Sequence, residues 1–241
     1  MSDPIEQFQI KKILPIEVGG YDISFTNSSL CMVLTAVSVI VVFALCLRKR
    51  SLIPNAAQCI PESAYEFIHN MMVDSIGKEG LKYFSFIFTL FFFVVVGNLL
   101  GLFPYSFTFT SHIAAVGTLS ILGLLINTFI GIKHKKWGYL RTFLPQGVPW
   151  VLAPLIVPIE VISLLAKPFS LTVRLVANMT VGHIMLKSIA GFIVAMGVLG
   201  GEIPLIFAGL VIAFEIFIGI LQAYIYTILS CIYLGDALHS H

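Results

Sequence analysis

Residues 158–190 read PIEVISLLAKPFSLTVRLVANMTVGHIMLKSIA. The framework is apolar enough to sit in lipid, yet it carries Glu160, Lys167, Arg174, Asn178, His183 and Lys187. An arginine at the centre of a bilayer helix costs about 2.5–3.5 kcal/mol on insertion scales. Nothing in the apolar framework requires that cost, so Arg174 is read as a functional residue.

The rest of the chain supports a membrane setting. It has 241 residues, 58% hydrophobic and 11% charged, where soluble domains carry roughly 25% charged residues. The length fits one membrane domain, 1–241, with no room for a separate soluble catalytic domain. A net charge of +2 is too small to point to a nucleic-acid partner. Cys31, Cys46, Cys59 and Cys231 show neither CxxC pairing nor metal-ligand spacing, and are expected to be small buried apolar residues. The N-terminal stretch is too polar for a signal-peptide core, so the first apolar segment is expected to remain in the mature protein.

Outward from the central stretch, the charge pattern predicts an all-α integral membrane protein. Residues 1–26 read as a short exposed or membrane-surface lead. The segment 27–47 is a charge-free transmembrane helix, and Arg48-Lys49-Arg50 after it mark the inner side, which places the N-terminus outside. In 54–83, Ala64, Phe67, Ile68, Met71, Met72 and Ile76 recur at helical spacing opposite Glu62, Glu66, Asp74 and Lys78. This is an amphipathic helix lying on the inner surface, with Pro61-Glu62 as its start. No Lys, Arg, Asp or Glu occurs from Phe84 to Ile132, too long a run for one pass. It is read as two transmembrane helices, 84–104 and 113–132, turning at Pro104-Tyr105-Ser106. Lys133, Lys135, Lys136 and Arg141 return the chain to the inner side.

Two long segments follow, 149–190 and 202–238, joined by the glycine-rich GFIVAMGVLGG. A helix over 149–190 would be roughly 63 Å long, about twice the hydrocarbon thickness. Pro154, Pro158 and Pro168 permit kinks, but no charged loop interrupts either segment. The expectation is a hairpin of two long, strongly tilted helices, which brings the total to three transmembrane helices, one surface helix and this hairpin.

At about 100° per residue, Asn178 and Ser170 lie about 40° to either side of Arg174, Lys167 about 20° away and Glu160 about 40° away. These side chains form one polar stripe. His183, nine positions on, points to a different neighbour. On the second long helix Glu215 and Gln222 lie within about 20° of each other, and Gly219 and Tyr226 continue that stripe. A carboxylate, a carboxamide and a phenol along one face can bind water or relay protons. Plainer readings stand beside these. Lys167 and Lys187 can snorkel to the interface, Gln222 can tie two helices together, and Arg174 can pair with Glu215 or Glu160. Asn98, between Gly97 and Gly101, either bonds across a close helix contact or lines a wet passage.

KPFSLTVRLVANMTVGH, the later LQAYIYTILSCIYLGDALHSH and GNLLGLFPYSF together resemble subunit a of the F-type ATP synthase, over nearly the whole chain. The resemblance implies a non-catalytic proton-channel subunit, without cofactor or metal, facing a rotating ring of c subunits. It also implies b-type peripheral stalk partners, the whole synthase complex, and a bacterial or mitochondrial inner membrane with the C-terminus inside. Arg174 matches the family's essential arginine. Asn178, His183, Glu215 and Gln222 match an outer half-channel, with His183 and Glu215 paired across the hairpin, and Glu160 matches the inner one. Ser170, Asn98 and Tyr226 are weaker matches. No GxxxxGK[ST] phosphate loop occurs, as expected if ATP is handled elsewhere. The alternative is a self-contained secondary transporter binding an anion at Arg174, although the internal repeats of such proteins are absent. A membrane hydrolase built on His183 and Glu215 would lack an HExxH motif or a nucleophile.

Overall fold

A computed structural model describes residues 12–15, 17–18, 21–22, 24–48, 55–102, 109–135 and 152–239. Six α-helices account for most of them: α1 Asn27–Cys46, α2 Ala56–Ile76, α3 Phe84–Gly101, α4 Ile113–Lys135, α5 Ala153–Gly200 and α6 Glu202–His239. Among the described residues, five helical stretches are long and apolar enough to cross a membrane: Asn27–Cys46, Lys78–Gly101, Ile113–His134, Ala153–Gly197 and Glu202–Asp236.

The first departure from the all-α expectation is in the lead, which holds short strands. Two small antiparallel ladders form, β1 (Lys12–Leu14) with β4 (Phe25–Thr26) and β2 (Glu17–Val18) with β3 (Tyr21–Asp22). The inner pair is separated in sequence by Gly19-Gly20 alone, a two-residue hairpin signal between β-prone residues.

Helix α2 begins at Ala56, with Asn55 as its N-cap, so Pro61 lies inside the helix and does not start it. The helix ends where Gly77 takes φ +80° and donates its N–H to Val73 O at 3.0 Å. A 3-10 turn, Lys78–Tyr83, then leads into α3. Ile68, Met71, Met72 and Ile76 face inward as expected, but Phe67 is half exposed. Its ring lies near Phe91 and Tyr224, centroids 6.1 and 5.9 Å away. Of the four free cysteines only Cys231 is buried, and Cys59 is exposed on α2. The expected turn at Pro104-Tyr105-Ser106 and the helical start at Pro149 lie outside the described residues.

Helix α5 settles whether the first long segment is broken. Its backbone passes through Pro158 and Pro168 and leaves helical dihedrals only at Gly197, φ +64°. The glycine-rich linker is therefore mostly helix: the chain stays helical past Gly191, and the reversal into α6 falls at Gly197–Gly201. A positive φ suits glycine because there is no Cβ to clash.

Two compact units are formed, each from several segments: residues 1–41, 92–116 and 173–223, and residues 42–91, 117–172 and 224–241. In the first, Val94, Asn98, Phe109, Val116, Leu175 and Met179 are buried. Gly97 lets Phe109 lie against α3; a Cβ there would come within 2.7 Å of the ring. In the second, Ile68, Met72, Ile87, Leu171, Cys231 and Leu234 form the core. There Gly235 brings α6 onto the end of α2, since a Cβ would stand 3.3 Å from Ser75 O. Large apolar side chains on α1, α5 and α6, such as Val37, Ile162, Phe169, Leu210 and Phe217, point outward.

Candidate functional site

The polar groups on α5 divide by exposure. Arg174 is exposed, as are Lys167 and Ser170, while Glu160 and Asn178 are half-buried. The helix runs unbroken from Glu160 to Asn178, which is the condition the angular count assumed. Val181, about 20° from Arg174 around the helix, and Val173, the preceding residue, are also exposed, so the guanidinium sits on an outward apolar surface. Arg174 has no hydrogen-bond or ion-pair partner among the described residues, so the structural salt bridge to Glu215 or Glu160 is not made.

The buried face of α5 presents Leu175, Met179 and Gly182. Glu215 of α6, 9% exposed, lies directly against Gly182: an added Cβ would overlap its Oε1. Neither Glu215 carboxylate oxygen has a hydrogen-bond partner. His183 is half-buried and donates to the backbone carbonyl of Gly101 at the end of α3. The expected direct pair of His183 and Glu215 is therefore absent. His183 turns to α3, and the carboxylate lies on the neighbouring Gly182, whose missing Cβ leaves room for it.

One turn further along α6, Asn98 of α3 donates from Nδ2 to Gly219 O at 3.0 Å, fully buried. Gly219 permits this approach; a Cβ would stand 3.3 Å from that of Asn98. The cross-helix bond is thus made, while Asn98 Oδ1 stays unpartnered. Gln222, 2% exposed, leaves its Nε2 without a partner. The same unit therefore holds Asn98 Oδ1, both Glu215 oxygens and Gln222 Nε2 as buried, unsatisfied groups. Each such group normally costs about 1–3 kcal/mol, so this concentration singles out a candidate site.

Tyr226 is in a different situation. Its hydroxyl donates to Leu119 O of α4 at 3.0 Å, close over Gly123, where a Cβ would stand 2.8 Å away. Lys167 Nζ lies 5.0 Å from the centroid of the Tyr233 ring, a cation–π contact. Among the described residues no three His, Cys, Asp or Glu side chains converge as metal ligands. Sequence reasoning missed Gly182 and Gly101, the two neighbours that decide where Glu215 and His183 go. The only sequence signal was the adjacency of Gly182 and His183.

Comparison with known proteins covers almost the whole chain. The family model described as ATP synthase A chain matches residues 29–235. The chain is 52% identical over 241 residues to ATP synthase subunit a of Rhodospirillum rubrum, with both chains fully covered. It is 49% identical over 243 residues to that of Mesorhizobium japonicum, covering 98% of this chain and 96% of the relative. It is 47% identical over 247 residues to that of Paramagnetospirillum magneticum, again with both chains fully covered.

Proposed function

This chain belongs to the ATP synthase subunit a family and is a multi-pass membrane protein, and from that premise we propose that it is the stator proton channel of the synthase's membrane sector. The observation that carries the reading is the exposed Arg174 on an apolar helix face, unpartnered among the described residues. A cation held in hydrocarbon needs an anion, and the nearest way to supply one is a second protein. A rotating ring of c subunits, each presenting a carboxylate, fits that need.

In this mechanism protons enter from outside through an inlet half-channel lined by Asn98, Asn178, His183, Glu215 and Gln222. The unpartnered atoms of Asn98, Glu215 and Gln222 support this role, because they leave sites for a chain of water. His183 and Glu215 act through such water, since neither Glu215 oxygen is bonded to protein. A proton delivered to a ring carboxylate is carried round in lipid and released past Glu160 into the outlet half-channel, with Ser170 at its side. Arg174 separates the two paths. Its guanidinium keeps its proton under all physiological conditions, so it attracts the ionised carboxylate and passes no proton itself. A lysine could deprotonate when desolvated and would seal less well.

The flow drives rotation, and ATP chemistry happens elsewhere in the complex, so this subunit is not itself an enzyme. In this reading α1, α3 and α4 cross the membrane, α2 lies on the inner surface, and α5 and α6 form the tilted hairpin facing the ring. The N-terminus is outside and the C-terminus inside, in a bacterial-type inner membrane, with b-type stalk subunits holding the stator. The test is cysteine crosslinking in native membranes. Single cysteines at the exposed positions Phe169, Val173 and Val181 should crosslink to a ring subunit. Crosslinks from none of them, with the complex intact, would overturn the proposal.

A further inference from the structure

A cavity of about 20 Å3 lies between α4, α5 and α6, lined by Ser120, Asn127, Lys167, Leu171, Tyr226 and Tyr233 among others. Most polar atoms around it already have partners. Tyr226 Oη donates to Leu119 O, Ser230 Oγ to Tyr226 O at 3.0 Å, and Thr172 Oγ1 to Pro168 O at 2.8 Å, with Ser120 Oγ 3.2 Å away.

Two atoms are left over. Asn127 is 4% exposed, and its Oδ1 is buried without a partner; its Nδ2 reaches Ser230 O only at 3.5 Å. Tyr233 Oη is likewise buried and unpartnered. One is an acceptor, and the other is a hydroxyl able to donate. Helix–helix packing alone would favour closing a gap of this size with an apolar side chain. Here an asparagine and a tyrosine are among the residues that line it.

We infer that this cavity is a binding site for a single resident water, which donates to Asn127 Oδ1 and accepts from the Tyr233 hydroxyl. The space suits one water and not a chain of them, because a water needs about 10–15 Å3 of such volume and at least two polar partners. The site ties α4 to the inner end of α6 and holds the Tyr233 ring in place under Lys167. It serves to position Tyr233 and Lys167.

Hydroxyl-radical labelling by X-ray radiolysis of the purified, intact complex tests this, because radicals form at bound water and modify the side chains beside it. Leu171 lines the cavity and is 5% exposed. Leu175 and Leu234 are 4% and 0% exposed and do not line it, so they serve as references of the same residue type. Leu171 should be labelled several-fold faster than both. Labelling of Leu171 at their rate would overturn the inference. In Asn127→Leu, which fills the space and removes the acceptor, the Leu171 rate should fall to that of Leu175. A rate unchanged in that variant would also overturn it. The wild-type comparison stands by itself if the variant fails to assemble.

Discussion

Gly182→Ala is the most informative single change in this protein. The new methyl would overlap Glu215 Oε1 and stand 2.5 Å from Cδ and 3.1 Å from Cγ, all inside ordinary contact distance. Glu215 is buried and cannot swing into open space, so either its rotamer or the α5–α6 spacing must change. Overpacking of this kind costs about 1–3 kcal/mol. If that cost falls on the state that passes the proton, the rate drops by about five- to 150-fold at 1.36 kcal/mol per tenfold. The assay is ATP-driven proton pumping in inverted membrane vesicles, followed by quenching of a pH-sensitive dye and normalised to assembled complex. Glu215→Asp shortens the side chain by one methylene and should relieve the clash, whereas Glu215→Gln keeps the shape. The cost of Gly182→Ala should therefore be smaller when it is combined with Glu215→Asp than in the wild type, and unchanged when it is combined with Glu215→Gln. Wild-type pumping by Gly182→Ala, or equal relief by the two substitutions at Glu215, would refute the steric reasoning.

Arg174→Ala should abolish ATP-driven pumping while the complex still assembles, and robust dye quenching in that variant would refute the separating role. Tyr226→Phe removes the bond to Leu119 O, worth about 0.5–1.5 kcal/mol, so the complex should melt a few degrees lower while pumping is unchanged. Lost pumping at an unchanged melting point would instead place Tyr226 on the path. His112, just before α4, has its pKa held below 6.5 by burial, so the folded state favours the neutral ring. The stability it contributes is present above about pH 6.5 and falls as the pH drops through that value. A positive ring would also oppose the dipole at the start of α4. The Val116 amide, bonded to His112 O at 3.1 Å, should exchange faster at pH 5 than at pH 7 beyond the intrinsic change, and His112→Asn should remove the difference.

What the sequence made legible is what a single helix carries by itself. The charge-free runs gave α1, α3 and α4 to within a few residues, and the polar stripe from Glu160 to Asn178 follows from helical periodicity alone. Pro61 misled, since it sits inside α2 and does not start it, whereas α5 passes through Pro158 and Pro168 without breaking, as the uninterrupted apolar segment led one to expect. A proline removes one backbone bond, and a helix embedded in other helices or lipid can absorb that loss. Contacts between helices were far less legible, because periodicity gives a direction and not a neighbour. Helical periodicity turns His183 away from Arg174, but its backbone partner is Gly101, and it makes no direct hydrogen bond to Glu215. The glycines decide such matters. Gly182 admits Glu215 and Gly219 admits Asn98, and nothing in the spacing of polar residues reveals which glycine will be met.

The separation of Arg174 from Glu215 bears most directly on mechanism. A buried pair of the two would have met the needs of both charges inside one chain, yet the exposed arginine and the buried carboxylate remain apart. Such a pair would be a poor source of stability, since desolvation offsets most of the attraction, and it would lock both groups. On the tilted hairpin of the proposed mechanism, snorkelling offers Arg174 little escape. It stands near the middle of the continuous stretch from Ala153 to Met196, hence near the middle of a hydrocarbon layer about 30 Å thick, with about 15 Å to either surface. That is beyond the reach of an arginine side chain. In the same mechanism the anion that a guanidinium on an outward apolar face calls for is brought to it from outside the chain. Glu215, set against Gly182 with both oxygens unpartnered, is in that mechanism the group that exchanges protons with channel water. On the proposed mechanism those are the two requirements of a rotary stator: one charge that never moves, and one carboxyl group whose proton does.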